Sequence, residues 1–117
     1  MPQVLFEHSK EIGCSNKEIN DLFKFVIDEM VKVLGVTTDG IKLRSNGLQN
    51  SQVGMGNHHR GFLHLTIAVL KKSERTQGMF DDLGNAYLEY LAKNFSVDKE
   101  CISVEFREMD SSKYYKY

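Results

Sequence analysis

The spacing of apolar and polar residues along the chain predicts four short β-strands and two long helices. In the strands, apolar and polar positions alternate, which is the pattern of a strand buried on one face. The predicted strands are residues 3–8, 40–45, 62–69 and 102–107. In the second strand, Ile41 and Leu43 alternate with Lys42 and Arg44. We therefore expect the two cations to share the face opposite the two aliphatic side chains.

Two longer segments carry apolar residues at a spacing of three and four, which predicts amphipathic helices. The first begins at Ser15, which stands three residues before Glu18 as in a capping box, and ends at Gly35. Its apolar stripe consists of Ile19, Leu22, Phe23, Val26, Met30 and Val33. The second helix is expected from about Thr76 to Phe95. Its stripe consists of Met79, Phe80, Leu83, Tyr87, Tyr90 and Leu91.

The elements follow the order β-α-β twice, which predicts an α+β fold made of two similar repeats. Right-handed crossovers would place both helices on one face of a single four-stranded sheet. The other face would combine His64 and Thr66 with Phe62 and Ala68. That face is too apolar to be exposed along its whole length, so we expect self-association. At 117 residues the chain has the usual length of one domain, and we expect residues 1–117 to form a single domain.

Two polar segments carry weaker signals. Residues 45–56 are rich in Ser, Asn, Gln and Gly, which predicts a loop. Within it, Gly54-Met55-Gly56 has the composition of a phosphate-binding loop, but no strand-to-helix turn accompanies it. We interpret it as a mobile loop near the site. Residues 110–117 are polar and tyrosine-rich, and they give no clear structural signal.

Composition and charge argue against several classes of protein. The net charge is −1 and the acidic and basic residues are interspersed, so we expect no nucleic-acid partner. No apolar run is long enough to cross a membrane, and no signal peptide is evident, so we expect no membrane association. Cys14 and Cys101 are far apart and lack the spacing of metal ligands, which indicates a reduced cytoplasmic protein. Cys101 lies in an apolar stretch and is expected in the core.

The histidines give little support for a metal site. His58 and His59 are adjacent and would point to opposite faces of a strand. Together with His64 they lack the carboxylate or cysteine ligands that would complete a site at suitable spacing. We therefore expect no metal ion and no cofactor, and we expect His64 to be hydrogen-bonded within the sheet.

The chemically most distinctive residue is Pro2, the only proline of the chain, directly behind Met1. A methionine before a small residue is usually removed during synthesis, which would leave Pro2 with a free secondary amine. A free α-amino group titrates near pH ~7.7–8.0, and burial or a nearby cation lowers its pKa. Such an amine can accept a proton and deliver it elsewhere. If Met1 stays attached, the nitrogen of Pro2 is an amide and cannot act as a base.

Four separated segments, in order, resemble the 5-carboxymethyl-2-hydroxymuconate isomerase family of the tautomerase superfamily. They are Met1-Pro2 with its apolar strand, Gly-Ile-Lys-Leu-Arg at 40–44, Phe-Leu-His-Leu-Thr at 62–66, and Arg75 ahead of the second helix. The resemblance covers nearly the whole chain, and macrophage migration inhibitory factor is a more distant relative with a similar start and length. The resemblance implies a tautomerase-like fold, a homotrimer and catalysis without a cofactor.

The resemblance also implies a reaction and a set of site residues. The reaction would be keto–enol tautomerisation, a 1,3-proton shift, of a small carboxylated dienol such as 5-carboxymethyl-2-hydroxymuconate from aromatic ring cleavage. Pro2 would be the general base and acid. Arg75, Lys42 and Arg44 match the basic positions of the family, and they would bind the carboxylates and stabilise charge that develops on the oxygens.

The chain departs from the family pattern in ways that leave alternatives open. The family tends to have arginine where this chain has Lys42, and a lysine offers a point charge in place of a planar fork. The turn before the second helix is slightly longer, so Lys71 or Lys72 could take the place of Arg75. Two other functions therefore stay open. One is a phenylpyruvate-type tautomerase, and the other is a non-catalytic trimeric binding or signalling protein that retains Met1.

Overall fold

The computed structural model describes residues 2–49 and 61–117, which form four strands and two long helices. The strands are β1 (Gln3–Ser9), β2 (Lys42–Leu48), β3 (Leu63–Leu70) and β4 (Ile102–Met109), and the long helices are α1 (Asn16–Leu34) and α2 (Gln77–Asn94). Short 3₁₀ helices lie at Lys10–Ile12, Thr38–Gly40, Lys99–Cys101 and Ser111–Lys113. The predicted order of elements is confirmed.

The strands form one mixed sheet in the order β2-β1-β3-β4. β1 is parallel to β2, β3 is parallel to β4, and the central strands β1 and β3 are antiparallel. Each parallel pair is joined through a helix, so each repeat is a β-α-β unit. This confirms the predicted fold class.

The core lies between one face of the sheet and the two helices. Its fully buried side chains include Val4, Phe6, Leu63, Leu65, Ile67 and Val69 from the sheet, Leu22, Val26 and Met30 from α1, and Leu83, Tyr87 and Leu91 from α2. Tyr87 also joins the two helices, because its hydroxyl donates a hydrogen bond of 2.8 Å to the carbonyl oxygen of Val26. Burial, and secondarily Glu29, raises the pKa of Tyr87.

The opposite face of the sheet, here called the open face, carries the alternate residues of every strand. It consists of Gln3, Leu5 and Glu7 on β1, Lys42, Arg44 and Asn46 on β2, His64, Thr66, Ala68 and Leu70 on β3, and Ser103, Glu105, Arg107 and Met109 on β4. No described helix covers this face. It mixes polar and apolar groups as expected, but Phe62 precedes β3 and is not one of its paired residues.

Local side-chain bonds define the helix ends. Ser15 Oγ accepts a hydrogen bond from the N–H of Glu18 at 3.1 Å, and Glu18 Oε1 accepts one from the N–H of Ser15 at 3.0 Å, which confirms the capping box. Gly35 ends α1 with a φ of 68°, a conformation that favours glycine. Thr76 caps α2 by accepting a hydrogen bond from the N–H of Met79 at 3.3 Å.

The predicted loop at residues 45–56 is wrong in its first part. Residues 45–48 continue β2, where they pair with residues 6–9 of β1. Pairing with a neighbouring strand satisfies their backbone groups, and this outweighs their loop-like composition. The remainder from Asn50, which includes Gly54-Met55-Gly56, lies outside the described residues, as do His58 and His59.

The predicted place of Cys101 in the core is confirmed. Cys101 is buried, and Cys14 is half-buried. Burial, assisted by Glu18, raises the pKa of the Cys14 thiol to about 11. No helix in the described part of the chain is long and apolar enough to span a membrane.

Candidate active site

Pro2 is buried at the entrance to β1. Its carbonyl oxygen accepts a hydrogen bond of 3.0 Å from the backbone N–H of Lys42. This bond belongs to the pairing of β1 with β2, so it fixes Pro2 beside the first residue of β2.

The strand register brings three chain segments to the same end of the sheet, here called the Pro2 end. Gln3 lies opposite Lys42 of β2 and opposite Ala68 of β3. Because β3 is antiparallel to β1, the last residue of β3, Leu70, lies beyond Ala68 in the direction of Pro2. The beginnings of β1 and β2 and the end of β3 therefore meet at this end.

Lys42 and Arg44 are exposed neighbours on the open face of β2, as predicted. Arg44 Nη1 donates a long hydrogen bond of 3.5 Å to Gln3 Oε1. Lys42 lies directly opposite Gln3, so it is the cation nearer to the Pro2 end. Within a single chain, the ammonium group of Lys42 and the guanidinium group of Arg44 are accessible to an anion from solvent.

Arg75 lies in the turn that joins β3 to α2, and it is half-buried. Its guanidinium donates a hydrogen bond to the carbonyl oxygen of Leu70, and its backbone N–H bonds to the carbonyl oxygen of Lys72 at 3.1 Å. A guanidinium has five N–H donors, so one bond to Leu70 leaves donors for a carboxylate. The fold thus holds this cation at the end of β3.

The two rival cations of the turn are placed differently. Lys71 and Lys72 are both exposed. The backbone N–H of Lys71 donates to the carbonyl oxygen of Met109, and the carbonyl oxygen of Lys72 accepts from the N–H of Arg75. Neither side chain is held against the end of β3 by a hydrogen bond that resembles the one between Arg75 and Leu70. Arg75 is therefore the more preorganised of the three cations.

The beginning of α2 adds to the positive potential at the Pro2 end. Thr76 caps α2 next to Arg75, and the first turn of a helix carries a partial positive charge. Together with Lys42 and Arg75, this charge favours the binding of carboxylates at the Pro2 end.

A chain of polar contacts crosses the open face between β3 and β4. His64 Nδ1 lies 2.6 Å from Ser103 Oγ, and His64 Nε2 lies 3.3 Å from Glu105 Oε1. Arg107 donates two hydrogen bonds of 3.0 and 3.1 Å to the carboxylate of Glu105. Arg107, and secondarily His64, lowers the pKa of Glu105. The expected hydrogen bonding of His64 within the sheet is thus confirmed.

Two surface cavities of about 580 Å³ each lie at the end of the sheet opposite to Pro2. One is lined by Leu88, Glu89, Ala92, Lys93, Lys99 and Ile102, and the other by Glu11, Ile12, Gly61, Ser96, Val97, Asp98 and Cys101. None of the predicted site residues lines either cavity. The candidate site is therefore defined by the strand register, which brings Lys42 and Arg75 to the Pro2 end, and not by cavity size. Within residues 2–49 and 61–117, no group of three His, Cys, Asp or Glu side chains could hold a metal ion.

The sequence alone did not single out Arg107 or Gln3. Arg107 lies opposite Ala68, which lies opposite Gln3, so one row across the open face joins Lys42 to Arg107. Alternation along the last strand indicated the face on which Arg107 lies. Only the register between strands could show that it shares a row with Lys42.

A family model described as 5-carboxymethyl-2-hydroxymuconate isomerase matches residues 2–117, which is nearly the whole chain. The chain belongs to this family. Membership of the 5-carboxymethyl-2-hydroxymuconate isomerase family supports an isomerase of the tautomerase type, and it leaves the substrate open. No curated protein shows significant similarity to the sequence.

Solved structures of the tautomerase superfamily share the fold. A protein inactivated by 2-oxo-3-pentynoate superposes with a TM-score of 0.83 at 13% identity, covering 97% of this chain and 90% of the other. A fused 4-OT symmetric trimer gives 0.82 at 12% identity, with 97% and 90% covered. A macrophage migration inhibitory factor-like protein from Entamoeba histolytica gives 0.77 at 14% identity, with 99% and 95% covered. At these identities the likeness shows the fold alone.

Proposed function

We propose that this chain catalyses the keto–enol tautomerisation of a small carboxylated dienol such as 5-carboxymethyl-2-hydroxymuconate, with the amine of Pro2 as general base and acid. The observation that carries the proposal is the meeting of Pro2, Lys42 and Arg75 at one end of the sheet. Membership of an isomerase family supports the reaction type.

The reaction requires one proton to leave an enol oxygen and to reach a carbon of the same conjugated system. A neutral secondary amine at Pro2 accepts the hydroxyl proton, and the resulting ammonium returns a proton to the carbon. One group thus serves both steps, and no oxidant, reductant or cofactor is consumed.

The cations bind and polarise the substrate in this proposal. Arg75 offers a fork of donors for one carboxylate, and Lys42 and Arg44 offer charge for a second carboxylate or for the developing oxyanion. Because Arg75 is half-buried and tied to Leu70, it needs little reorganisation when the substrate arrives. The exposed Lys42 and Arg44 lose more side-chain freedom on binding.

We also propose a homotrimer. The open face carries Leu5, Ala68 and Leu70 among its polar residues, and burial against other copies would remove these apolar groups from water. The fused trimeric structures with the same fold support this assembly.

The test is an enol-to-ketone assay on a panel of carboxylated dienols, with the state of the amino terminus known from intact mass. Protein that lacks Met1 should convert at least one dicarboxylated dienol. A chain with Met1 still attached should keep the fold, measured by circular dichroism, and lose nearly all activity. Equal activity of the two forms would exclude the amine mechanism, and Glu7 or His64 would then be the base to examine.

Pro2→Ala is the matched variant for the same assay. It keeps an α-amino group and the carbonyl oxygen that bonds to Lys42, but it replaces the secondary amine by a primary one. We expect a lower rate with the assembly retained. An unchanged rate and an unchanged pH profile would contradict the role of Pro2.

A further inference from the structure

The segment that follows β4 begins at the Pro2 end of the sheet. β4 ends at Met109, which lies opposite Leu70, and the carbonyl oxygen of Met109 accepts a hydrogen bond of 2.8 Å from the N–H of Lys71. The chain therefore leaves β4 directly beside the turn that carries Arg75.

A hydrogen-bonded turn holds the start of this segment. The carboxylate of Asp110 accepts bonds from the N–H and from the hydroxyl of Ser112, each at 3.0 Å. The N–H of Tyr114 then donates to the carbonyl oxygen of Ser111 at 3.3 Å. Residues 114–117, here called the tyrosine segment, thus follow a hydrogen-bonded turn that begins at the Pro2 end.

The chain that follows β4 is long enough to reach Pro2. Only β3 separates β4 from β1, so the two strands lie about 10 Å apart. Eight residues follow Met109, and the last four alone span up to about 13 Å when extended, which is comparable to this separation. Arg75, bound to the end of β3, lies between the two strands and therefore within the same reach.

The chemistry of the tyrosine segment complements a conjugated carboxylate. Tyr115 is 87% exposed and Tyr117 is fully exposed, whereas Tyr87 is buried. In an extended segment Tyr115 and Tyr117 point to one side and Lys116 to the other. A planar dienoate offers a flat face to aromatic rings. The described residues of the open face at the Pro2 end supply cations and the aliphatic Ala68 and Leu70, but no aromatic ring.

We infer that the tyrosine segment folds over the Pro2 end and forms the aromatic wall of the substrate site, with Tyr115 and Tyr117 packing on the conjugated chain of the substrate. These residues position the substrate and select for planar conjugated carboxylates. The inference rests on the proposed function, because it takes the Pro2 end as the site.

Kinetics of paired variants test the inference. The double variant Tyr115→Ala with Tyr117→Ala, here called the alanine pair, should lower kcat/KM about tenfold. The loss should come mainly from a higher KM, because the contacts of the two rings with the substrate are lost. The double variant Tyr115→Phe with Tyr117→Phe, here called the phenylalanine pair, should keep the wild-type kcat/KM, because it keeps both aromatic rings and removes only the hydroxyl groups. Leu88→Ala, at an exposed apolar residue on the outer side of α2, is the control and should have no effect. Equal kinetics of the alanine pair and the wild type would overturn the inference.

A binding experiment separates this inference from the proposed function. The chain has five tyrosines and no tryptophan, so its emission reports tyrosine alone. Muconate, a conjugated dicarboxylate without the enol, should quench this emission. The phenylalanine pair should keep the affinity, measured by calorimetry, and lose much of the quenching.

The outcomes are distinguishable from those for Pro2. Undiminished quenching in the phenylalanine pair, or undiminished muconate affinity in the alanine pair, would overturn the inference even if Pro2→Ala abolishes turnover. Loss of muconate affinity in the alanine pair, together with a Pro2→Ala variant of normal rate, would support the aromatic wall and exclude the amine mechanism.

Discussion

The backbone N–H of Lys42 donates a hydrogen bond of 3.0 Å to the carbonyl oxygen of Pro2. The proposed base and a proposed substrate cation, forty residues apart in the sequence, are therefore joined by the pairing of two parallel strands. The bond uses only backbone atoms, so the side chain of Lys42 is left for another partner. This separation of roles makes Lys42 well suited to substitution.

Lys42→Ala should leave the fold intact and weaken the binding of carboxylated substrates. The variant keeps the N–H that bonds to Pro2, so only the ammonium is lost. Because Lys42 is exposed, we expect KM to rise by only about tenfold, the lower end for a hydrogen bond to a charged group. Steady-state kinetics measure this, with Lys93→Ala at the far end of α2 as the control. A KM that does not change would remove Lys42 from the site.

Arg75→Ala should have a larger effect than Lys42→Ala. Arg75 is half-buried and bound to Leu70, so it is a preorganised partner for a carboxylate, and its loss should lower kcat/KM by ~10²-fold, about 3 kcal/mol. Arg75→Lys should recover only part of this loss, because the planar fork is absent.

Lys72→Ala is the matched control, since Lys72 is exposed in the same turn. Thermal unfolding of each variant should accompany the kinetics, because Arg75 also holds the end of β3. A silent Arg75→Ala beside an impaired Lys72→Ala would transfer the role to the lysine.

The extent to which the sequence predicts this molecule depends on how local each feature is. The capping box of Ser15 and Glu18 and the left-handed Gly35 depend on a few neighbouring residues, and both were predictable. The extension of β2 to Leu48 depends on β1, which lies far away in sequence, and composition suggested a loop there.

The same distinction applies to the candidate site. Alternation predicted that Lys42 and Arg44 share a face, whereas the difference in burial between Arg75 and Lys72 emerges only when the turn packs against the end of β3. Likewise, no local signal places Arg107 in the row that contains Lys42. Strand order and register, which the sequence does not encode locally, decide which cations meet.

Tyr87→Phe should destabilise the protein by about 1 kcal/mol, because it removes one hydrogen bond while it preserves the packing of the ring. The lost bond is the one that the Tyr87 hydroxyl donates to Val26 of α1. For a chain of this length the Tm should fall by about 4 °C, as measured by thermal unfolding. Tyr115→Phe, at an exposed hydroxyl, should leave the Tm unchanged. Equal values for the two variants would mean that the bond adds no stability.

The raised pKa of Tyr87 predicts that the stability of the protein depends on pH. The pKa of Tyr87 is raised above its ordinary value of 10.0 by burial, so the unfolded chain loses this proton first as the pH rises. The wild type should therefore lose stability as the pH rises above 10.0, whereas the contribution of Tyr87 is fully present below that value. Denaturant unfolding at rising pH should show a smaller loss for Tyr87→Phe. Parallel curves for the two proteins would contradict the assignment.

Sedimentation equilibrium at micromolar concentration should give three times the chain mass of 13.4 kDa, about 40 kDa. Leu5 lies in the middle of the open face, between Arg44 and Thr66, so Leu5→Asp would replace an apolar side chain by a carboxylate that loses its hydration if copies associate through this face. We expect the variant to dissociate and to keep its secondary structure, because the open face is not covered within one chain. Leu88→Asp places the same charge on the exposed side of α2 and should leave the trimer intact. If Leu5→Asp remains a trimer and Leu88→Asp does not, the copies associate through α2, and the open face must be stabilised by its own polar contacts around Glu105.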